Sequence, residues 1–122
     1  MIDNRLFSIP GWGSVYVINE EKKALIECRS TTSVRVVLDG IREIGINPED
    51  ISYIIVTHIH LDHTGGVGVL ARHMPQAQVA VHHKGARHLI DPNRLIAGTV
   101  EAQGNEVMAT YGEVLPLEVH RV

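Results

Sequence analysis

Apolar positions along this chain change their period several times, and each change marks an element. Ser14-Val15-Tyr16-Val17-Ile18 is β-branched and aromatic, as a strand requires. Asn19-Glu20-Glu21-Lys22-Lys23 is a polar turn, and Ala24-Leu25-Ile26-Glu27-Cys28 is the returning strand. Pro10-Gly11-Trp12-Gly13 before them reads as a turn or loop. The period then becomes helical: Val34, Val37, Leu38, Ile41 and Ile44 form one apolar face. A hydroxyl of Thr31, Thr32 or Ser33 is expected to cap that helix, and Gly45 to stop it. Asn47-Pro48-Glu49-Asp50 connects it to a buried strand over 51–56.

A short helix is expected over 66–73, ended by Pro75. Gln78-Val79-Ala80-Val81-His82 predicts a further strand, and a helix follows over 84–90, stopped by Asp91-Pro92. Residues 97–105 contain glycine and are weakly patterned, which predicts a loop. Residues 114–122 predict a last strand. Strands alternating with helices argue an α/β fold, a sheet covered by helices. No repeat, low-complexity segment or linker divides the chain, so a single domain over 1–122 is expected.

Length and composition agree. The 122 residues suffice for one domain, and 44% hydrophobic content excludes intrinsic disorder. The net charge of -3 and pI near 6.2 offer no electrostatic case for nucleic acid. No run approaches a membrane span, and no basic-then-apolar start marks a signal peptide, so no membrane partner is expected. The single Cys28 excludes an internal disulfide framework, and a reducing, cytoplasmic location is the default expectation.

The histidines change the picture. There are 8 of them against 1 Cys, 1 Phe and 1 Trp. Four potential ligands, His58, His60, Asp62 and His63, fall within six residues directly after an apolar strand. In extended backbone, residues two apart point to the same side, so His58 and His60 can aim at one ion. A turn after Leu61 would aim Asp62 and His63 at a neighbouring point, which suits a second metal. All four offer the nitrogen and oxygen donors that zinc accepts. Gly65 and Gly66 let the backbone bend and pack closely where the next helix begins. Chance arrangement of such a run is roughly one in a thousand, so these residues are placed rather than scattered.

Thr57-His58-Ile59-His60-Leu61-Asp62-His63-Thr64-Gly65-Gly66 resembles the signature of the metallo-β-lactamase-fold hydrolases, a superfamily that includes glyoxalase II and acyl-homoserine lactonases. The 14–28 hairpin, the approach from Pro48 to His58 and Val79-Ala80-Val81-His82 match its N-terminal half. The resemblance implies an αββα sandwich and a binuclear site. It implies that His58 and His60 bind one ion and that Asp62 and His63 bind the other. Two divalent ions are thus expected, zinc in first place, with iron or manganese as alternatives. Such a site lowers the pKa of bound water towards ~7 and provides hydroxide. Asp62 is then the catalytic candidate, orienting or deprotonating the nucleophile.

The family completes its site with a third His in a Gly-His segment, a bridging Asp and a last His. The sequence ends at Val122 without them. The expectation is therefore an N-terminal half, truncated from a protein of ~200–300 residues. The implied activity is hydrolysis of a small-molecule ester, thioester or lactone. An oxidoreductase of the single-iron persulfide dioxygenase kind is the alternative; the diiron flavoproteins of this fold resemble it less, because they carry Glu where His60 stands. An inactive half-domain is the third reading, whose open sheet face and strand edges predict self-association as a homo-oligomer.

Other residues have plainer roles to weigh. Glu27 ends a strand where this fold often has an acidic residue, and it can hold a ligand imidazole or be a surface carboxylate. Cys28 is expected to be a small buried apolar residue. His73, His82, His83 and His88 are expected on surfaces or strand ends. His120 is a weak candidate for the third ligand, being in an expected strand. Trp12 and Tyr16 are candidates for a pocket wall, with hairpin packing favoured. Asp91-Pro92 and Arg94-Leu95 are expected over the rim of the site.

Overall fold

The computed structural model describes residues 1–3 and 13–122. The expected turn at Pro10-Gly11-Trp12 and the role of Trp12 lie outside these residues. Among the described residues, five strands form one mixed sheet in chain order. They are β1 (Ile2–Asp3), β2 (Ser14–Ile18), β3 (Lys23–Ile26), β4 (Ile51–Ile55) and β5 (Gln78–Ala80). The first three pair antiparallel, as a hairpin demands. The β3–β4 and β4–β5 pairs are parallel, because a helical crossover separates each pair.

Among the described residues, the helices that accompany the sheet are α1 (Val34–Glu43), α2 (Leu61–Thr64), α3 (Val67–His73), α4 (His83–Ile90), α5 (Asn93–Gln103) and α6 (Val107–Tyr111). Val34, Val37, Leu38 and Ile41 bury the expected face of α1. Ile44 does not join them; it caps the helix at 54% exposure. No side-chain hydroxyl caps α1. Thr31 and Thr32 instead donate to the carbonyls of Glu113, Gly65 and Thr110, which ties the C-terminal segment to the start of α1.

Cross-strand register assigns the two sheet faces. Val15, Leu25, Ile54 and Val79 point into the core with α1 and α3. Tyr16, Ile18 and Tyr53 point the other way and remain 50%, 41% and 37% exposed. Tyr16 therefore belongs to this open face.

Two expectations fail. Residues 97–105 are not a loop, since α5 runs through Gln103. Residues 114–122 are not a strand. Leu117 N donates to Leu89 O, and residues 119–121 form a 3-10 turn. Arg121 explains the difference: its guanidinium donates to the carbonyls of Ala71, Met74 and Ala77. These carbonyls lie at the end of α3 and in the turn that leads to β5, so the segment is anchored without a ladder. The expected strands over 24–28, 51–56 and 78–82 also end earlier, at Ile26, Ile55 and Ala80. Among the described residues, no helix is long and apolar enough to cross a membrane.

Candidate metal centre

The site gathers where β3 and β4 end. Glu27 and Arg29 both take left-handed backbone, with φ of 70° and 61°. This conformation costs a non-glycine residue about 1–3 kcal/mol, so the surroundings must enforce it. They do so through hydrogen bonds. Glu27 N donates to Ile55 O at 2.8 Å, Arg29 N to His63 O at 2.8 Å, and Gly66 N to Arg29 O at 2.7 Å. The tail of β3 is thereby laced to β4 and to the α2–α3 junction. A Cβ on Gly66 would stand 2.9 Å from Ser30 O, so glycine permits that close approach.

Lacing the strand tails aims Glu27 inward. One carboxylate oxygen accepts from Thr57 N at 2.9 Å and from Thr57 Oγ1 at 2.7 Å. The other is hydrogen-bonded to His63 Nδ1. Burial pushes the Glu27 carboxyl up, but the Thr57 hydroxyl, the Thr57 amide and His63 together outweigh it and hold it below the usual range. Glu27 is thus an anion whose oxygens are already engaged. It is a positioning residue that orients the Thr57 amide and the His63 ring. Arg29 completes the shell: its Nη1 lies 2.9 Å from His63 Nδ1, and its Nε donates to Ser14 O at 2.9 Å.

The run from Thr57 to Thr64 then presents the candidate ligands. His60 N-caps the single-turn α2, and Thr64 Oγ1 donates back to Ile59 O at 3.0 Å, fixing the turn. His58, His60 and Asp62 have ligand atoms that all lie within 4.8 Å of one another. Glu27, His58 and His63 form a second such group. His58 is common to both. Asp62 Oδ2 lies 3.3 Å from His63 Nε2, so the four expected ligands form one continuous cluster. The His58 and His63 rings are 3.7 Å apart between centroids. Asp62 thus lies within ligand reach of His58 and His60 as well as beside His63, the residue with which the expected pairing set it. Two imidazoles and a carboxylate on a half-exposed loop fit a divalent ion by donor chemistry.

Beside the cluster lies a cavity of about 600 Å³. His60 and Asp62 line it from one side, and Arg94, Leu95, Thr99 and Gln103 from the face of α5. The expected rim at Arg94-Leu95 is there. His88, expected on a helix surface, also lines the cavity, as does Tyr111. His82, His83 and His120 are exposed and lie apart from both candidate groups. Tyr16 does not line the cavity. Cys28 is fully buried, and its Sγ lies 3.2 Å from His63 O. Burial, aided by the Glu27 charge, pushes its thiol far above the ordinary range.

The model of the metallo-beta-lactamase superfamily matches residues 9–120. The chain belongs to the metallo-beta-lactamase superfamily. It is 34% identical over 74 residues to an uncharacterized protein of Methanocaldococcus jannaschii, matching 61% of this chain and 18% of that one. It is 41% identical over 59 residues to the exodeoxyribonuclease WalJ of Streptococcus pneumoniae, across 48% of this chain and 21% of that protein. It is 45% identical over 31 residues to the N-acyl homoserine lactonase AttM of Agrobacterium fabrum, across 25% and 12%. The solved structure of the first B3 metallo-beta-lactamase with an active site glutamic acid superposes with a TM-score of 0.60 at 33% identity. That superposition covers 63% of this chain and 29% of the other. This chain therefore spans less than a third of the length of these relatives.

Proposed function

We propose that this chain carries the metal-binding part of a metal-dependent hydrolase acting on an ester, thioester or lactone. The observation that carries the reading is the convergence of His58, His60 and Asp62 donors on the wall of the 600 Å³ cavity. His58, His60, Asp62 and His63 are the residues that would hold divalent metal, with zinc the expected ion and two ions the expected number. Such metal polarises a carbonyl oxygen and acidifies water. The chain's own residues do the rest. Glu27 holds Nδ1 of His63, which leaves Nε2 turned towards Asp62. Asp62 Oδ2 orients the attacking water and accepts its proton. Leu95 and the helix that bears it confine the substrate against the cluster.

Relatives include N-acyl homoserine lactonases and exodeoxyribonucleases by name, so the scissile group must be tested directly. A net charge of -3 favours a small substrate over nucleic acid. The decisive experiment compares the zinc-loaded chain and His58→Ala on an ester, a thioester, a lactone and a phosphodiester. Carboxyl-ester-type turnover lost in His58→Ala supports the reading. Turnover that survives the substitution, or is confined to the phosphodiester, overturns it.

One observation favours a second reading. The group His58, His60 and Asp62 is a two-histidine, one-carboxylate set, a pattern also suited to a single non-haem iron. It supports a persulfide dioxygenase-like oxidoreductase. Metal content separates the two: zinc retained on purification supports hydrolysis, and one iron per chain supports oxidation.

A further inference from the structure

The cavity beside the metal centre has a direction. Six residues of α5 line it: Arg94, Leu95, Gly98, Thr99, Ala102 and Gln103. Their spacing is that of one helical face, so the whole length of α5 is a cavity wall. No residue of this eleven-residue helix is buried, because the face turned inward meets the cavity rather than a core.

The two ends of the wall differ in charge. At the C-terminal end Tyr111 Oη and Gln103 Oε1 are 3.4 Å apart, and both residues line the cavity together with Asp62. His60 and Asp62 of the metal cluster line the same cavity. At the other end stands Arg94, one residue into the helix. Among the described residues, no hydrogen bond or ion pair engages the Arg94 guanidinium. Among the described residues, the one carboxylate lining this cavity is that of Asp62, in the metal cluster. Between the ends the wall is Leu95, Gly98, Thr99 and Ala102, and the one hydroxyl among them, Thr99 Oγ1, donates to Leu95 O at 2.9 Å within the helix. From Arg94 to Gln103 the helix rises about 13 Å.

Building on the hydrolase reading, we propose that Arg94 is a specificity residue that selects substrates bearing an anionic group. The reacting carbonyl sits at Asp62 and His60, a short apolar chain crosses Leu95 and Ala102, and a terminal carboxylate pairs with Arg94. A guanidinium fits a carboxylate with two parallel N–H donors, so the preference is geometric as well as electrostatic. A neutral chain of the same length loses that pairing and leaves the cation without a partner.

The test uses binding rather than turnover. Monomethyl adipate carries the anion, and dimethyl adipate is its neutral analogue. Each is titrated into the whole chain and followed by amide chemical shifts, with the chain first zinc-free and then zinc-loaded. The expected result is about tenfold tighter binding of the monoester. In Arg94→Met the two bind alike and dimethyl adipate binds as before, whereas Arg94→Lys restores part of the preference. Arg94 is exposed, so the unfolding midpoint should not move. Equal binding of the two probes by the parent chain overturns the proposal, as does a preference that survives Arg94→Met. If zinc fails to bind while the preference and its loss in Arg94→Met hold, the hydrolase reading falls and the anion site stands. If zinc binds and the preference is missing, the anion site falls alone.

Discussion

The carboxylate of Glu27 accepts a hydrogen bond from the amide of Thr57 at 2.9 Å, linking the ends of two parallel strands across 30 residues of chain. The same side chain takes the Thr57 hydroxyl and the His63 ring. One buried anion thus sets the direction in which the histidine loop leaves β4.

Removing that anion takes away the acceptor of the Thr57 amide and hydroxyl and the partner of the His63 ring. Glu27→Ala is expected to cost about 1–3 kcal/mol of stability, read from urea unfolding of the metal-free chain. It should also weaken zinc binding by about 10–100-fold through misplacement of His63. Unchanged zinc affinity would show that His63 is placed without Glu27.

The ligand cluster predicts a sharp contrast among histidines. His58→Ala and His60→Ala should each weaken zinc binding strongly in calorimetry, because each removes one donor from a group of three. His88→Ala should leave it unchanged, since His88 lines the cavity but belongs to neither donor group. Equal effects at all three positions would place the metal elsewhere in the cavity.

Helix α5 should exchange its amide protons faster than α1. None of its residues is buried, whereas α1 buries Val34, Val37, Leu38 and Ile41. Helices held by few buried contacts open at low free-energy cost. Mass spectrometry of exchange at peptide resolution would show this, and substrate-like anions should slow α5 alone.

Gly68 lies under the C-terminal segment, where an added Cβ would come 2.1 Å from Leu115 O. That contact is with backbone and cannot be relieved by a rotamer change. Gly68→Ala should therefore destabilise by about 1–3 kcal/mol, seen as a lower unfolding midpoint. A neutral outcome would mean that residues 112–118 are free to move away from α3.

Cys28 is the buried thiol of the site. It should resist a thiol reagent in the native chain and react fully once the chain is unfolded in urea. Its folded pKa is raised, so the unfolded thiol ionises first. Stability from this group is complete below about pH 8.5 and is lost as the pH rises above that value. Rapid reaction of the native thiol would contradict its burial.

Much of this architecture can be read locally. The β2–β3 hairpin, α1, β4 and the histidine run each rest on a periodicity or a turn signal within a few residues. His58 and His60 are legible because strand geometry alone puts them on one side. The role of Glu27 is half legible: its place at a strand end suggests proximity to the site, but its partners lie on another strand.

What the chain's pattern alone settled was the fold class, the order of most elements and the run of candidate ligands, since these follow from short-range period and chemistry. Tertiary structure alone decided three things. It brought Asp62 within ligand reach of His58 and His60 while keeping it beside His63, a joint placement that depends on how the turn of α2 meets the end of the loop. It made residues 93–103 a helix whose inner face meets a cavity, so no buried stripe was written into the sequence to announce it. It turned the final segment into an anchored tail, because Arg121 reaches the carbonyls of Ala71 and Met74 at the end of α3. In each case the deciding partner lies far along the chain, where no local pattern carries the information.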